Sequence, residues 1–286
     1  MKRFLLLPLL FLAGTGFSAE LKGDFKGPLG LQIYSLRDAL KQDAVGTLDK
    51  VKELGFTSAE LWGGAPVPPE KMKTLLAERG ITPVSGHFSY EALKKDVSTG
   101  VATAKMLGLK FAGVAWIPHE VGSFGEADVK RAADDFHAFG EAFKAAGIQF
   151  FYHVHGYEFK PVAEGSTETF FDLLARATKP ELVAFEMDVF WVVHPGADPV
   201  KLLTQYPGRW KLMHLKDIRK GARTGVYTGK APLTDDVPLG TGQVNWPAVL
   251  KQAAASGVQY YFIEDESPTV LEALPISSKY LETVKF

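Results

Sequence analysis

The stretch FFYHVHGYEF, residues 150–159, places two histidines and a glutamate directly after an apolar run. Alternate side chains of a β-strand point to the same side, so His153 and His155 are expected to face one way. The chain then turns at Gly156 and presents Glu158. This pattern predicts a strand that ends at a site with metal-binding side chains.

Three later segments also consist of an apolar run followed by residues that bind metal ions. They are LVAFEMD, which ends at Asp188, WKLMHLKD, which contains His214 and Asp217, and YYFIEDE, which contains Glu264. Histidine, aspartate and glutamate at four successive strand ends predict one shared metal pocket.

The rest of the chain repeats one unit, a short apolar strand, a polar turn and an amphipathic helix. The eight expected strands are residues 29–35, 58–62, 82–87, 111–116, 149–155, 183–188, 210–215 and 259–264. Helices are expected, for example, at residues 43–54, 69–79, 91–107, 128–146, 167–178 and 246–255. Eight such units predict an α/β fold, a single-domain (β/α)8 TIM barrel. An open doubly wound sheet would need a glycine-rich loop after its first strand, and QIYSLRD is not one.

Barrel active sites lie at the carboxyl ends of the strands, where the expected ligands are. Asp188, His214 and Glu264 suit a divalent ion: manganese, cobalt, zinc or magnesium. Glu158 is the preferred fourth ligand and gives a set that suits manganese. His153 is the alternative, either as a ligand that favours zinc or cobalt or as a catalytic base.

Lys216 follows His214 by two positions, so both side chains are expected on one side of the strand. A lysine beside a metal ion stabilises an enolate, which makes Lys216 a candidate catalytic residue together with His153 and Glu158. The alternative is an ion pair between Lys216 and Asp217.

Five further residues are candidates for substrate binding. Glu60 lies towards the end of the second expected strand and His87 ends the third, and both are expected either behind the metal ligands or on sugar hydroxyls. His155 shares a side with His153. Trp191 and His194 follow the sixth strand, where an aromatic ring stacks against a sugar.

The N-terminus predicts export. Lys2 and Arg3 precede the apolar residues 4–13, and small residues follow up to Ala19. This predicts a signal peptide at residues 1–19 and an exported, periplasmic barrel domain at residues 20–286. The apolar run is shorter than the roughly 20 residues of a membrane span, so we expect no stable membrane association after cleavage. A net charge of −1 without a basic stretch argues against nucleic acid as a partner, and the sequence is compatible with a homo-oligomer.

Taken together, these motifs resemble the xylose isomerase-like barrels, also called the sugar phosphate isomerase/epimerase family. The similarity runs from LGLQIYSLRD to YYFIEDES and includes ELWGG, YHVHGYEF, MDVFWVVHPGADP, HLKD and VPLGTGQVNW. It implies a divalent metal held by Glu158 or His153, Asp188, His214 and Glu264. Many members carry glutamate where this chain has His153, and the YHxHxxEF form looks more like exported members. Some of those act on 3-keto-glycosides, and a related branch dehydrates keto-inositols.

The resemblance implies an enzyme that removes a proton next to the carbonyl of a small carbohydrate substrate. Isomerisation or epimerisation is the first expectation, with 3-keto-glycoside lyase or keto-inositol dehydratase as the alternative. Phosphodiester cleavage, known for endonucleases with this barrel, lacks a basic groove here. A non-catalytic sugar-binding barrel would keep Trp62, Trp116 and Trp191 but would not need the metal set.

Overall fold

The computed structural model describes residues 23–286, which form a closed barrel of eight parallel strands. The barrel strands are β1 (Leu29–Gln32), β2 (Ser58–Trp62), β3 (Thr82–His87), β4 (Phe111–Val114), β5 (Gln149–His153), β6 (Val183–Asp188), β7 (Trp210–Leu215) and β10 (Tyr260–Ile263). Their order around the barrel is β1, β10, β7, β6, β5, β4, β3, β2. The predicted TIM barrel is therefore confirmed. The predicted signal peptide, residues 1–19, lies outside the described residues.

Helices fill the connections between the strands and surround the barrel. They are α1 (Arg37–Gln42), α2 (Ala44–Glu53), α3 (Pro69–Glu78), α4 (Tyr90–Lys95), α5 (Val97–Leu107), α6 (Glu126–Ala145), α7 (Phe170–Ala177), α8 (Val189–Val193), α9 (Pro199–Gln205), α10 (Trp246–Ser256) and α11 (Val270–Thr283). The single helix expected at residues 91–107 is two helices. Asp96 has an extended backbone and caps α5 by accepting the N–H groups of Ser98 and Thr99, which separates α5 from α4.

Glycine ends two of the helices. Gly108 after α5 and Gly257 after α10 have φ values of 78° and 86°, a left-handed conformation that costs glycine little. Each places the chain directly before the next barrel strand, β4 or β10.

Three strands end two or three residues earlier than the alternation of side chains suggests. β1 ends at Gln32 and continues as a 3-10 turn (Ile33–Leu36), and β4 ends at Val114. β5 ends at His153, and Gly156 with φ of 95° then starts a second 3-10 turn (Tyr157–Phe159). The alternation of side chains in a strand therefore ends at His153 and does not apply to His155 and Glu158.

The interior of the barrel changes from apolar to polar along its axis. Towards one end, an apolar cluster fills it: Val84, Phe111, Phe151, Ala184, Leu212 and Phe262, with Tyr260 packed against them. Buried charged side chains lie at the carboxyl ends of the strands. A two-stranded ribbon, β8 (Asp217–Ile218) and β9 (Asp236–Val237), follows β7. Within residues 23–286, no helix has the length and apolar character needed to cross a bilayer.

Candidate metal centre

Four buried side chains with metal-binding atoms meet at the carboxyl ends of four neighbouring strands. His153 ends β5, Asp188 ends β6, His214 lies in β7 and Glu264 directly follows β10. One ligand atom of each lies within 4.8 Å of the other three, and none of the side chains is more than 8% exposed. The structure thus brings three of the expected ligands together with His153.

The distances in this group fit a coordination sphere. His153 Nε2 lies 3.2 Å from His214 Nδ1 and 3.6 Å from Asp188 Oδ2, and Glu264 Oε2 lies 3.2 Å from His214 Nδ1. Ligand atoms about 2.0–2.2 Å from a tetrahedral ion are about 3.3–3.6 Å apart. Two imidazoles and two carboxylates at this spacing suit a divalent cation of the size of zinc.

One carboxylate oxygen of the group, Oδ2 of Asp188, forms no hydrogen bond within the described residues. Asp188 caps α8, so its Oδ1 accepts the N–H of Trp191 at 3.1 Å. Its Oδ2 faces the ring nitrogens of His153 and His214 and has no hydrogen-bond partner in the described part of the chain. A buried carboxylate oxygen without a partner is costly, and a cation at this position would offset that cost.

Burial and neighbouring charges set the protonation of the group. Burial lowers the pKa of His153 to about 4, which leaves its ring neutral and able to donate a lone pair. Burial opposes ionisation of Asp188, but the neighbouring rings of His153 and His214 and the charge of Lys216 lower its pKa to about 2. Burial also opposes a charge on His214, yet the carboxylates of Glu186 and Glu264 raise its pKa well above its ordinary value. The position attracts positive charge.

A second buried group lies on the other side of the His214 ring. His214 Nε2 is 2.6 Å from Glu60 Oε1, while His87 Nε2 is 2.8 Å from Glu186 Oε2 and 3.2 Å from Glu60 Oε1. Burial opposes a charge on His87, but Glu60 and Glu186 together raise its pKa to about 10. The result is an ion-paired network between imidazole rings and carboxylates.

Lys216 is held by carboxylates behind the centre. Its Nζ lies 2.6 Å from Glu266, 3.2 Å from Glu264 Oε2 and 3.7 Å from Asp236, and the side chain is 2% exposed. Burial opposes the charge, but Glu264 and then Glu266 and Asp236 raise the pKa of Lys216 well above its ordinary value. Lys216 is therefore an ammonium ion that orients Glu264, and Asp217 is not its partner.

A cavity of about 410 Å³ opens above the four ligands. His87, His153, His155 and Glu264 line its floor, and Glu91 and Glu266 also border it. Its aromatic lining comprises Tyr34, Trp62, Phe88, Tyr90, Trp116 and Trp191. No lysine or arginine is among the described residues that line it.

Six of the expected site residues do not line this cavity: Asp188, His214, Lys216, Glu60, Glu158 and His194. Glu158 is fully buried, and its Oε1 accepts the hydroxyl of Tyr152 and the N–H of His155. Because the turn at Gly156 directs Glu158 away from the mouth, it belongs to neither group of ligand atoms. His194 packs against Phe190, with ring centroids 5.7 Å apart. Glu60 lies behind His214, whereas His87, His155 and Trp191 do line the cavity.

The sequence reading missed Glu186, Gln32 and Glu266. Glu186 precedes Asp188 by two residues in β6, so the alternation of side chains placed both inside the barrel. Glu266 follows Glu264 by two, which was a comparable signal. Gln32 ends β1 and had no comparable signal.

Comparison with known proteins gives one family model and several relatives. The model described as xylose isomerase-like TIM barrel matches residues 48–283. An inosose dehydratase of Geobacillus kaustophilus is 26% identical over 208 residues, which is 65% of this chain and 65% of that protein. An inosose dehydratase of Clostridium botulinum is 24% identical over 295 residues, or 90% of this chain and 94% of that protein.

Solved structures share the fold. A sugar phosphate isomerase/epimerase from Parabacteroides distasonis is 28% identical, with a TM-score of 0.74, over 89% of this chain and 97% of that one. The IOLI protein with a bound zinc atom is 13% identical, with a TM-score of 0.66, over 89% of this chain and 97% of that one. The second similarity concerns the fold alone.

Proposed function

The chain belongs to the xylose isomerase-like TIM barrel family, and from this premise we propose that it is a metal-dependent lyase acting on an unphosphorylated keto-sugar or keto-inositol. The reaction is removal of a proton next to the carbonyl, followed by loss of the β-hydroxyl as water. The observation that carries the proposal is the spacing of the four buried ligand atoms beside the cavity, whose lining includes His153 and Glu264. The inosose dehydratases that match most of the chain support elimination as the outcome.

We assign the metal to His153, Asp188, His214 and Glu264. A divalent ion there supplies positive charge beside the substrate carbonyl, which acidifies the neighbouring C–H bond. Zinc is the ion to test first because two nitrogen and two oxygen ligands at tetrahedral spacing suit it. Manganese, cobalt and magnesium are the other ions to compare.

His155 is the candidate base. Its ring lines the cavity, stacks on Trp191 with centroids 4.7 Å apart, and has an Nδ1 without a hydrogen-bond partner among the described residues. Burial and then the neighbouring His153 lower the pKa of His155 to about 3, so its ring is neutral and carries a lone pair. The nearby carboxylates of Asp188 and Glu264 stabilise the imidazolium that results.

The lining of the cavity favours an uncharged substrate. Acidic side chains border it, and none of the described lining residues is a lysine or arginine that would bind a phosphate group. The faces of Trp62, Trp116 and Trp191 offer apolar surface to the C–H groups of a sugar ring.

The step is balanced without an oxidant. The C–H bond breaks, its proton moves to the His155 ring, and its electron pair forms a double bond to the carbonyl carbon while the π pair of the C=O bond moves to oxygen. The C=O bond then re-forms, the electron pair of the enolate double bond makes the new C=C bond between the α and β carbons as the β C–O bond breaks, and the leaving hydroxide takes a proton from His155. Return of the proton to carbon instead gives isomerisation or epimerisation, which is the second candidate because the solved relative at 28% identity is named for that reaction.

The test combines metal binding with catalysis. Residues 20–286 are purified without metal and loaded with Zn²⁺, Mn²⁺, Co²⁺ or Mg²⁺. Wild type is compared with Asp188→Ala and His153→Ala, which we expect to lose the ion, and with Glu158→Gln, which we expect to retain it. A keto-inositol and a 3-keto-glucoside in D2O are then followed by NMR.

We expect one ion per wild-type chain and conversion of a keto-substrate to an unsaturated ketone, lost in His155→Ala although its metal is retained. Deuterium at carbon without loss of water would favour the second candidate. A loaded, folded enzyme that neither exchanges nor dehydrates any keto-substrate would contradict the proposal.

A further inference from the structure

A continuous chain of hydrogen bonds leads from the end of β1 to the back of the His214 ring. The backbone N–H of Tyr34 donates to Gln32 Oε1 at 3.0 Å, and Gln32 Nε2 donates to Glu60 Oε1 at 2.8 Å. The same Oε1 lies 2.6 Å from His214 Nε2. Gln32, Glu60 and His214 are all at most 1% exposed, so water does not compete for these bonds.

This series of hydrogen bonds fixes which nitrogen of His214 carries the proton. A backbone N–H is always a donor, so the atom of Gln32 that faces Tyr34 is its oxygen, and its NH2 group faces Glu60. Glu60 Oε1 is therefore an acceptor. Because a carboxyl group is a stronger acid than an imidazolium ion, the proton between Glu60 and His214 belongs to Nε2. When His214 binds a cation it gives up the proton of Nδ1, and its lone pair is on this atom, which faces His153, Asp188 and Glu264.

The distances distinguish this network from a second metal site. Among the four proposed ligands, His214 Nδ1 lies 3.2–3.7 Å from atoms of the other three, and His153 Nε2 lies 3.6 Å from Asp188 Oδ2, as around a cation. In the group of Glu60, His87, Glu186 and His214, the shortest distances are 2.6 and 2.8 Å, which are those of charge-assisted hydrogen bonds. His214 also carries a proton on Nε2, which a second ion at that atom would have to displace.

We propose that Glu60 is a positioning residue, which holds the His214 ring in the tautomer and orientation that present Nδ1 to the metal ion. The inference deepens the proposed function and rests on the metal centre described there. Gln32 supports Glu60 from β1, a strand that supplies none of the four ligands. Carboxylates in this place raise the basicity of a ligating imidazole, and their loss weakens metal binding about 10- to 100-fold.

The experiment measures the zinc dissociation constant by competition with a chelator dye, together with the visible spectrum of the Co²⁺ form at saturation. The variants are Glu60→Ala, Glu60→Gln and Gln32→Ala. The matched control is Ser85→Ala, which removes a buried polar side chain opposite Glu60 on the adjacent strand β3. Thermal unfolding of each metal-free variant shows whether it is folded.

Glu60→Ala should weaken zinc binding about 10- to 100-fold and shift the Co²⁺ bands, with one ion still bound at saturation. Glu60→Gln keeps an oxygen acceptor for His214, so its dissociation constant should lie between those of wild type and Glu60→Ala. Gln32→Ala should weaken binding less than Glu60→Ala, and Ser85→Ala should match wild type in both readouts.

The possible failures are distinguishable. A wild type that binds no ion overturns the metal centre itself. A wild type that binds one ion, with unchanged affinity and spectrum in Glu60→Ala, overturns only the role of Glu60. Two ions in wild type and one in Glu60→Ala would make Glu60 a ligand and also overturn it. If Glu60→Ala does not fold, unchanged zinc affinity in both Gln32→Ala and Glu60→Gln overturns the proposal.

Discussion

Glu158 is a buried carboxylate whose second oxygen has no partner. Its Oε1 accepts two hydrogen bonds, from the Tyr152 hydroxyl and the His155 N–H, but Oε2 has none within the described residues. Burial raises the pKa of Glu158 to about 7, although these hydrogen bonds oppose the rise. At neutral pH the side chain is thus close to its own titration midpoint in a site that disfavours its charge.

This raised pKa predicts how stability depends on pH. The unfolded chain loses the Glu158 proton near the ordinary pKa of 4.5, and the folded chain loses it near 7, so the folded state binds more protons between these values. The contribution of Glu158 to stability therefore falls as pH rises from about 4.5 to 7. Glu158→Gln does not titrate and keeps an oxygen acceptor. The free energy of unfolding of Glu158→Gln minus that of wild type should therefore increase by about 1–3 kcal/mol when the pH is raised from 5 to 8.

Urea denaturation of the metal-free proteins at both pH values measures this difference. The exposed Glu164→Gln, which removes a carboxylate outside the core, is the matched control. A gain that shrinks or reverses with rising pH would contradict the raised pKa of Glu158.

At this scale the sequence identified part of the site. Asp188, His214 and Glu264 were found because each lies in or directly after a strand, where the alternation of side chains is reliable. The choice between His153 and Glu158 depended on where β5 ends, and a turn that starts at a glycine leaves no periodic signal. Glu186 shares the alternation of Asp188, but it lies two residues before the end of β6, where metal ligands of a barrel are not expected.

The secondary-structure elements were also predicted only in part. All eight barrel strands were predicted, since apolar runs and helical repeats are local patterns that the barrel preserves. Their ends were less accurate: residues 33–35 and 154–155 leave the sheet although their composition suits a strand. Strand ends are set by contacts with the loops that cover them, and these contacts come from distant parts of the chain.

The long segment after β7 depends on one buried carboxylate, Asp217. Its Oδ2 accepts the N–H groups of Gly240 and Gly242 and the indole N–H of Trp246, and its Oδ1 accepts those of Ile218 and Val244. Five donors on one side chain join both ends of the connection. The middle of the segment reaches the cavity rim, where Gly229 lies against Trp116.

Asp217→Asn should loosen this connection. The amide replaces one acceptor oxygen with a donor that faces other N–H groups, which leaves buried donors unpaired and should cost about 1–3 kcal/mol of the free energy of unfolding. Proteolysis within residues 219–242 should become faster, as read by mass spectrometry of the fragments. Asp198→Asn is the control, because its carboxylate caps α9 at the surface and asparagine caps a helix about as well. Equal digestion of wild type and Asp217→Asn would contradict the anchoring role.

For the whole molecule, the polar half of the barrel interior is the unusual feature. Apolar side chains fill one end of the barrel, whereas the other encloses the carboxylates of Glu60, Glu186, Asp188 and Glu264. His87 and Lys216 balance part of this negative charge by ion pairs. The negative charge that these ion pairs leave unbalanced attracts a cation to the point where the four proposed ligands meet. Each of these ligands comes from a different strand.

Removal of the metal ion should therefore destabilise the whole barrel. An ion that binds only the folded chain stabilises it by about 2.7 kcal/mol at a hundredfold excess over its dissociation constant. In a domain of this size that corresponds to a fall of about 5–11 °C in Tm when the ion is chelated. Differential scanning calorimetry with zinc and with EDTA measures it, and Asp188→Ala should show the same Tm in both. Hydrogen exchange should report lost protection first at the carboxyl ends of β5, β6, β7 and β10, because the ion joins these strands. A wild-type Tm that EDTA leaves unchanged, with exchange unaltered at these four ends, would mean that the polar interior is satisfied by its own ion pairs.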